Sequence, residues 1–185
     1  VSSYDELAAA VANVQENTPA VIVVSEDITI TNSITISDGK DITLIDGGGE
    51  ETTLYNTSSP MFMIEEGGKL SLESSDSGKL IIDGGTSRQM NNTGHVIHCS
   101  GTFTLNGAEI CNTTSAGNYC GVIYIDGNSS VFEMKDGAIY NNKINGSSIS
   151  SSNATVYATS GAEVNISGGI IESNIAEDTD SDRFV

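Results

Sequence analysis

The sequence predicts an all-β fold: a right-handed single-stranded parallel β-helix of about five to six coils, closed at its start by an amphipathic capping helix. Three observations predict it. Apolar-x-apolar segments recur along the chain. They realign at a period near 30 residues. The composition, with 20 Gly, 2 Pro, no Trp and 5% aromatics in 185 residues, suits short strands and turns whose core is built from Ile, Leu and Val.

The repeat is read directly. Phe103-Thr104-Leu105, Phe132-Glu133-Met134 and Val164-Asn165-Ile166 align without gaps through Ile110, Ile139 and Ile171 to a polar end bearing Thr113, Asn142 and Asn174. Leu105, Met134 and Ile166 lie 29 and 32 residues apart. Upstream, Ile42-Thr43-Leu44 and Leu70-Ser71-Leu72 hold the same place. A second column holds Phe62-Met63-Ile64, Ile97-His98-Cys99, Ile123-Tyr124-Ile125 and Val156-Tyr157-Ala158. Strict alternation puts every second side chain on one face. Three such strands and their turns consume about 25 to 33 residues at roughly 3.3 Å per strand residue. Stacking these windings pairs the backbone up and down and closes one apolar interior.

The elements follow in order. Ser3 and Glu6 form a capping-box pattern, and Leu7, Val11 and Val14 fall on one helical face with Ala10 beside them. Residues 1–18 are therefore the cap, which covers the exposed edge of the first coil. Residues 19–176 are the β-helix, entered at Ala20–Val24. Asn142 and Asn174 fall at one corner, where stacked amides can hydrogen-bond along the axis. No comparable cap closes the other end. Residues 177–185 read as an acidic tail at the point where a longer chain is cut, with further domains of the same parent beyond.

The formal charge is −18, from 25 acidic and 7 basic residues. That field repels phosphate backbones and sets nucleic acid aside as a partner. No apolar run is long enough to span a membrane. No basic n-region followed by an apolar h-region is present, so any signal peptide has been removed or lay upstream. The acidity reads as the solubility of an extracellular domain, secreted or anchored at a cell surface. The three cysteines form no disulfide framework: Cys111 and Cys120 flank a short segment that a bridge could close, or all three remain thiols in apolar surroundings.

The run from Ser3-Tyr4-Asp5-Glu6-Leu7 through Asp41-Ile42-Thr43-Leu44-Ile45-Asp46-Gly47 resembles the opening of pectate-lyase-like β-helix modules of bacterial surface proteins. Gly137-Ala138-Ile139-Tyr140-Asn141-Asn142 and Gly168-Gly169-Ile170-Ile171-Glu172-Ser173-Asn174 are similar to repeats of polymorphic outer-membrane and adhesin-like proteins. The resemblance covers nearly the whole chain and implies a stalk or binding surface, some relatives being polysaccharide lyases or hydrolases.

The residues themselves argue against catalysis. A lyase needs clustered Arg or Lys with Ca²⁺, whereas Arg88 and Arg183 are the only arginines and the lysines are scattered. Asp46, Asp83, Asp126 and Asp136 each precede Gly and read as turn residues. His95 and His98 read as ordinary surface residues. No cofactor is implied; Ca²⁺ has no specific motif, since Asp178, Asp180 and Asp182 lack the Gly and Glu of an EF-hand loop. The expected function is a non-catalytic module for adhesion or spacing, presenting loops such as 88–94, 113–118 and 141–153. The alternative is a carbohydrate-active enzyme or a fragment of one. The candidate binding residues are Met63, His98, Tyr124 and Tyr157, an outward stripe to which a glycan or host surface protein could bind.

Overall fold

A computed structural model of the chain describes residues 1–58, 60–85, 95–117, 121–146, 154–159 and 161–178. Helix α1 (Tyr4–Asn13) leads into the first winding, β1 (Pro19–Val24), β2 (Ile28–Ile30) and β3 (Ile34–Ile36). The second winding is β4 (Asp41–Asp46), β5 (Glu51–Asn56) and β6 (Phe62–Ile64), and the third is β7 (Lys69–Glu73), β8 (Lys79–Asp83) and β9 (Ile97–Cys99). The fourth holds β10 (Thr102–Asn106), β11 (Glu109–Cys111), β12 (Thr114–Gly117) and β13 (Gly121–Ile125). The fifth holds β14 (Val131–Met134), β15 (Ala138–Tyr140), β16 (Lys143–Gly146) and β17 (Ala154–Ala158). A sixth begins with β18 (Glu163–Ile166), β19 (Ile170–Glu172) and β20 (Ile175–Asp178).

Every strand pairs in parallel with its counterpart one winding away, which makes the molecule a parallel β solenoid. One sheet runs β1-β4-β7-β10-β14-β18, a second β2-β5-β8-β11-β15-β19, a third β3-β6-β9-β13-β17 and a fourth β12-β16-β20. The aliphatic columns align in register. Leu72, Leu105, Met134 and Ile166 are successive partners, as are Leu70, Phe103, Phe132 and Val164. Leu54, Ile82, Ile110, Ile139 and Ile171 form the column of the second sheet. Inward residues of the middle windings are fully buried, and the Phe103 and Phe132 rings stack at 5.4 Å. Alternation thus delivers one continuous spine, because each strand turns its apolar face inward, where it meets those of the windings above and below.

The cap forms as its sequence dictates, with one difference. Ser3 Oγ accepts from the Glu6 amide at 3.3 Å, and Leu7 and Val11 are buried against the first winding. The Glu6 carboxylate, however, reaches back one residue further than a capping box requires, to the Ser2 amide at 2.8 Å and hydroxyl at 3.1 Å. Lys40 Nζ seals the other helix end by donating to Val11 O at 2.7 Å and Ala12 O at 2.9 Å.

Two further corrections concern segments without apolar alternation. Thr114–Gly117 and Lys143–Gly146, read as loop from sequence, are strands of the fourth sheet. Ile175–Asp178, read as the end of the last coil and the start of a tail, is its third strand. Their short polar sequences carry no period-2 signal; backbone pairing to the neighbouring winding is what orders them. Of the presented loops, 88–94, most of 141–153 and the tip of 113–118 lie outside the described residues.

Candidate functional site

The stripe is placed by the third sheet. In this sheet residues 62, 64, 97, 99, 123 and 125 point inward, so the intervening side chains must point out. Met63 partners His98, His98 partners Tyr124, and Tyr124 partners Tyr157. All four are partly exposed. The four residues proposed from sequence therefore share one vertical line across windings two to five.

Their geometry differs from independent rings offered to solvent. Tyr124 and Tyr157 stack on each other, centroids 5.6 Å apart and planes 16° apart. His98 leans on Tyr124 at 4.9 Å. Much of each ring face is thus spent on its neighbour, and the stripe presents ring edges and polar tips outward. Asp126 lies beyond the end of β13, with Thr159 Oγ1 donating to its Oδ1 at 2.8 Å. Asp126, Glu66, Ser100, Gly127, Asn128 and Ser129 line a shallow polar hollow of about 350 Å³, two to three residues along the chain from Tyr124, His98 and Met63.

His95 is the residue that the sequence reading missed. Far from lying on the surface, it is 3% exposed. It stacks on Tyr124 at 4.6 Å, and its Nδ1 donates to the Gly121 carbonyl at 3.0 Å. The Gly121 amide nitrogen, at 3.4 Å from the same Nδ1, could donate to it only in the other tautomer, so the shorter bond fixes the proton on Nδ1. Burial drives the His95 pKa down to about 4, against the hydrogen bond to Gly121, with His98 adding to the fall. Burial also lowers the His98 pKa, partly offset by Asp126. The signal for burial lay in the apolar run Val96-Ile97 that follows His95, but nothing in one sequence places Tyr124 beneath its ring.

A second side-chain cluster lies on the outer face of the second sheet. Lys79 Nζ meets Glu109 Oε1 at 2.7 Å, and Tyr140 Oη donates to Glu109 Oε2 at 2.9 Å. Asn112 Nδ2 donates to Asp83 Oδ2 at 2.8 Å. The hydrogen bond to Glu109 raises the Lys79 pKa. Burial raises the Tyr140 pKa, and the Glu109 acceptor adds to that. With the lysine kept charged and the phenol kept protonated, these partners cross-tie three windings. Cys111 sits beside Tyr140 as a buried thiol whose pKa burial pushes up to about 11. The bridge to Cys120 considered from the sequence involves a residue outside the described ones. Cys99, inside the solenoid, is pushed up to about 12 by burial.

The aspartates before glycine act as turn residues. Asp46 Oδ1 accepts from the Gly48 amide at 2.8 Å, and Asp83 Oδ1 from the Gly85 amide at 2.9 Å. Among the described residues no group of three or more His, Cys, Asp or Glu side chains is arranged to hold a metal ion, and no helix is long and apolar enough to cross a membrane. Comparison with protein-family models, curated proteins and solved structures found no match to this chain.

Proposed function

We propose that this chain is a non-catalytic, right-handed, single-stranded β-helix module of a secreted or cell-surface protein, of the pectate-lyase-like kind, acting in adhesion or as a rigid spacer. The observation that carries the binding role is the Met63–His98–Tyr124–Tyr157 line, in register on one face of a stiff rod. A glycan or a host surface protein is the partner such a line suits, engaged by tyrosine and histidine edges rather than by open ring faces. Right-handedness is supported by the strand-crossover-parallel-strand rule, which that hand obeys in about 98% of cases. The charge of −18 favours solubility outside the cell and opposes binding to nucleic acid. Further domains of a parent chain would give the rod something to hold at a distance.

The test is a screen of immobilised glycans and extracellular matrix proteins with the unaltered chain and with Tyr124→Ala and Tyr157→Ala. The expected result is at least one ligand whose binding falls about tenfold or more in both variants while the thermal midpoint of each stays close to that of the parent. Binding that is unchanged in both variants would remove the stripe from the proposal.

A further inference from the structure

His95 is a buried imidazole at a position where the solenoid's own packing calls for none. It lies ahead of β9, outside any strand, yet its ring covers Tyr124 of the next winding and its Nδ1 holds Gly121 O across 26 residues of chain. Gly121 is the first residue of β13. A single side chain thus ties the start of β13 to the segment entering β9 and sets the plane on which Tyr124, and behind it Tyr157, are stacked.

We propose that His95 is a proton-operated clamp for the outer face of the third sheet: neutral, it holds the aromatic line in register; protonated, it lets the line go. The groups around it fit that role. His98 of β9 faces it edge-on at 5.9 Å and would repel an imidazolium. Tyr124 of β13 stacks on it, and Tyr157 of β17 lies beyond Tyr124. The stripe residue of β6 is the uncharged Met63. Asp126 acts on His98 and Tyr124 rather than on His95, and its Oδ1 takes the Thr159 hydroxyl. The incoming proton enters at Nε2, so the Nδ1–H bond to Gly121 O survives it; what protonation adds is a charge on a ring that is 3% exposed and, among the described residues, has no carboxylate partner, and that cost drives the ring out of the stack. The lowered His95 pKa, about 4, places the release in acid. If the stripe takes a ligand, acid would release it, and that consequence alone rests on the proposed function.

Hydrogen exchange tests the clamp directly, with amide protection corrected for the intrinsic effect of pH. On going from pH 7 to pH 4, protection over 97–99 and 121–125 is expected to fall about tenfold or more beyond any fall over 102–106 in the neighbouring sheet. His95→Gln should remove that excess and His98→Gln should keep it. Equal protection at both pH values, the same excess in His95→Gln, or an equal fall in both sheets overturns the proposal. Should His95→Gln not fold, the His95 Cε1–H titration in the unaltered chain decides: a midpoint well below the ordinary histidine value is expected, and an ordinary one overturns it.

Discussion

Asn142 and Asn174 lie one above the other at the same corner of successive windings, and the Asn142 Nδ2 donates to the Asn174 Oδ1 at 2.9 Å. The same nitrogen reaches Ile110 O at 3.3 Å, and Asn174 Nδ2 reaches Ile139 O at 2.8 Å. Asn142 Oδ1 in turn accepts from the Thr113 amide at 2.9 Å. Each amide therefore replaces backbone pairing that the turn interrupts. Asn142 and Thr113 are buried, so water cannot take over their bonds.

Removing one rung should break several bonds at once. Asn142→Ala strands the buried Thr113 amide and takes a donor from the Ile110 carbonyl, while Asn174 Oδ1 keeps the Asn142 backbone amide; a buried group left without a partner is worth about 1–3 kcal/mol. A loss on the order of 2 kcal/mol is expected in urea unfolding. A change within experimental error would show that the ladder contributes nothing to stability.

The ladder has a fault two windings below. Asn56 Nδ2 and Thr113 Oγ1 are buried and without a hydrogen-bond partner among the described residues. Between them stands Gly84, which has no side chain to bridge them, and Thr113 packs its hydroxyl against that glycine. Asn at position 113 could direct its amide toward the winding below, as Asn142 and Asn174 do. Thr113→Asn is expected to stabilise the chain by about 0.5–1.5 kcal/mol, read as a raised urea midpoint. A lowered midpoint would mean that the Thr113 hydroxyl is better fitted to Gly84 than an amide would be.

How much of this was legible beforehand depended on whether a residue obeys a period. The columns through Leu105, Met134 and Ile166, the Ser3 cap and the Asn142–Asn174 corner were all read correctly, because alternation and turn chemistry are local signals. The line Met63, His98, Tyr124 and Tyr157 was legible for the same reason: it is the outward face of strands whose inward face is apolar. The polar strands Thr114–Gly117, Lys143–Gly146 and Ile175–Asp178 were not, since pairing with a neighbour 29 to 32 residues away defines them and composition does not. Neither was the stacking of His95 on Tyr124, a contact between separate windings. Nor was the tie between Lys79, Glu109 and Tyr140, which unites three separate windings.

Acid should weaken the fold through histidine before it does so through carboxylates. The folded His95 pKa is about 4 against an ordinary 6.5. The unfolded chain therefore takes up a proton below about pH 6.5 that the folded chain refuses, and stability falls as pH drops from there to about 4. At 1.36 kcal/mol per unit the loss is on the order of 3 kcal/mol. His98 contributes in the same direction. Asp46 enters later: burial works against its carboxylate, but the Ser75 hydroxyl and amide and the Gly48 amide outweigh that and hold its pKa below 3.8. Its contribution is present above that value and is lost as pH falls through the lower folded one. Urea midpoints at pH 7, 5.5 and 4.5 should decline steadily, and His95→Gln should flatten the decline. A level profile down to pH 4.5 would contradict the buried, neutral imidazole.

The two ends of the rod predict opposite behaviour. At the first winding Leu7 and Val11 of α1 cover the core, and Val24, Ile30 and Ile36 are sealed. At the sixth, Ile166, Ile170, Ile171 and Ile175 are 55%, 56%, 42% and 54% exposed, while Met134 and Ile139, the partners of Ile166 and Ile171 one winding down, are fully buried. Strand edges and aliphatic side chains exposed together are a template for association. The charge of −18 opposes it at long range, and salt screens that opposition within about 10 Å at 0.1 M. This chain should therefore self-associate more as salt is raised, the reverse of an ion-paired contact. Ile166→Lys with Ile175→Lys should lower the mass measured by light scattering at 0.5 M salt without lowering the thermal midpoint, because neither side chain completes a sealed layer. A chain that stays monomeric at every salt and protein concentration, or variants that associate as the parent does, would show that the sixth winding does not drive association.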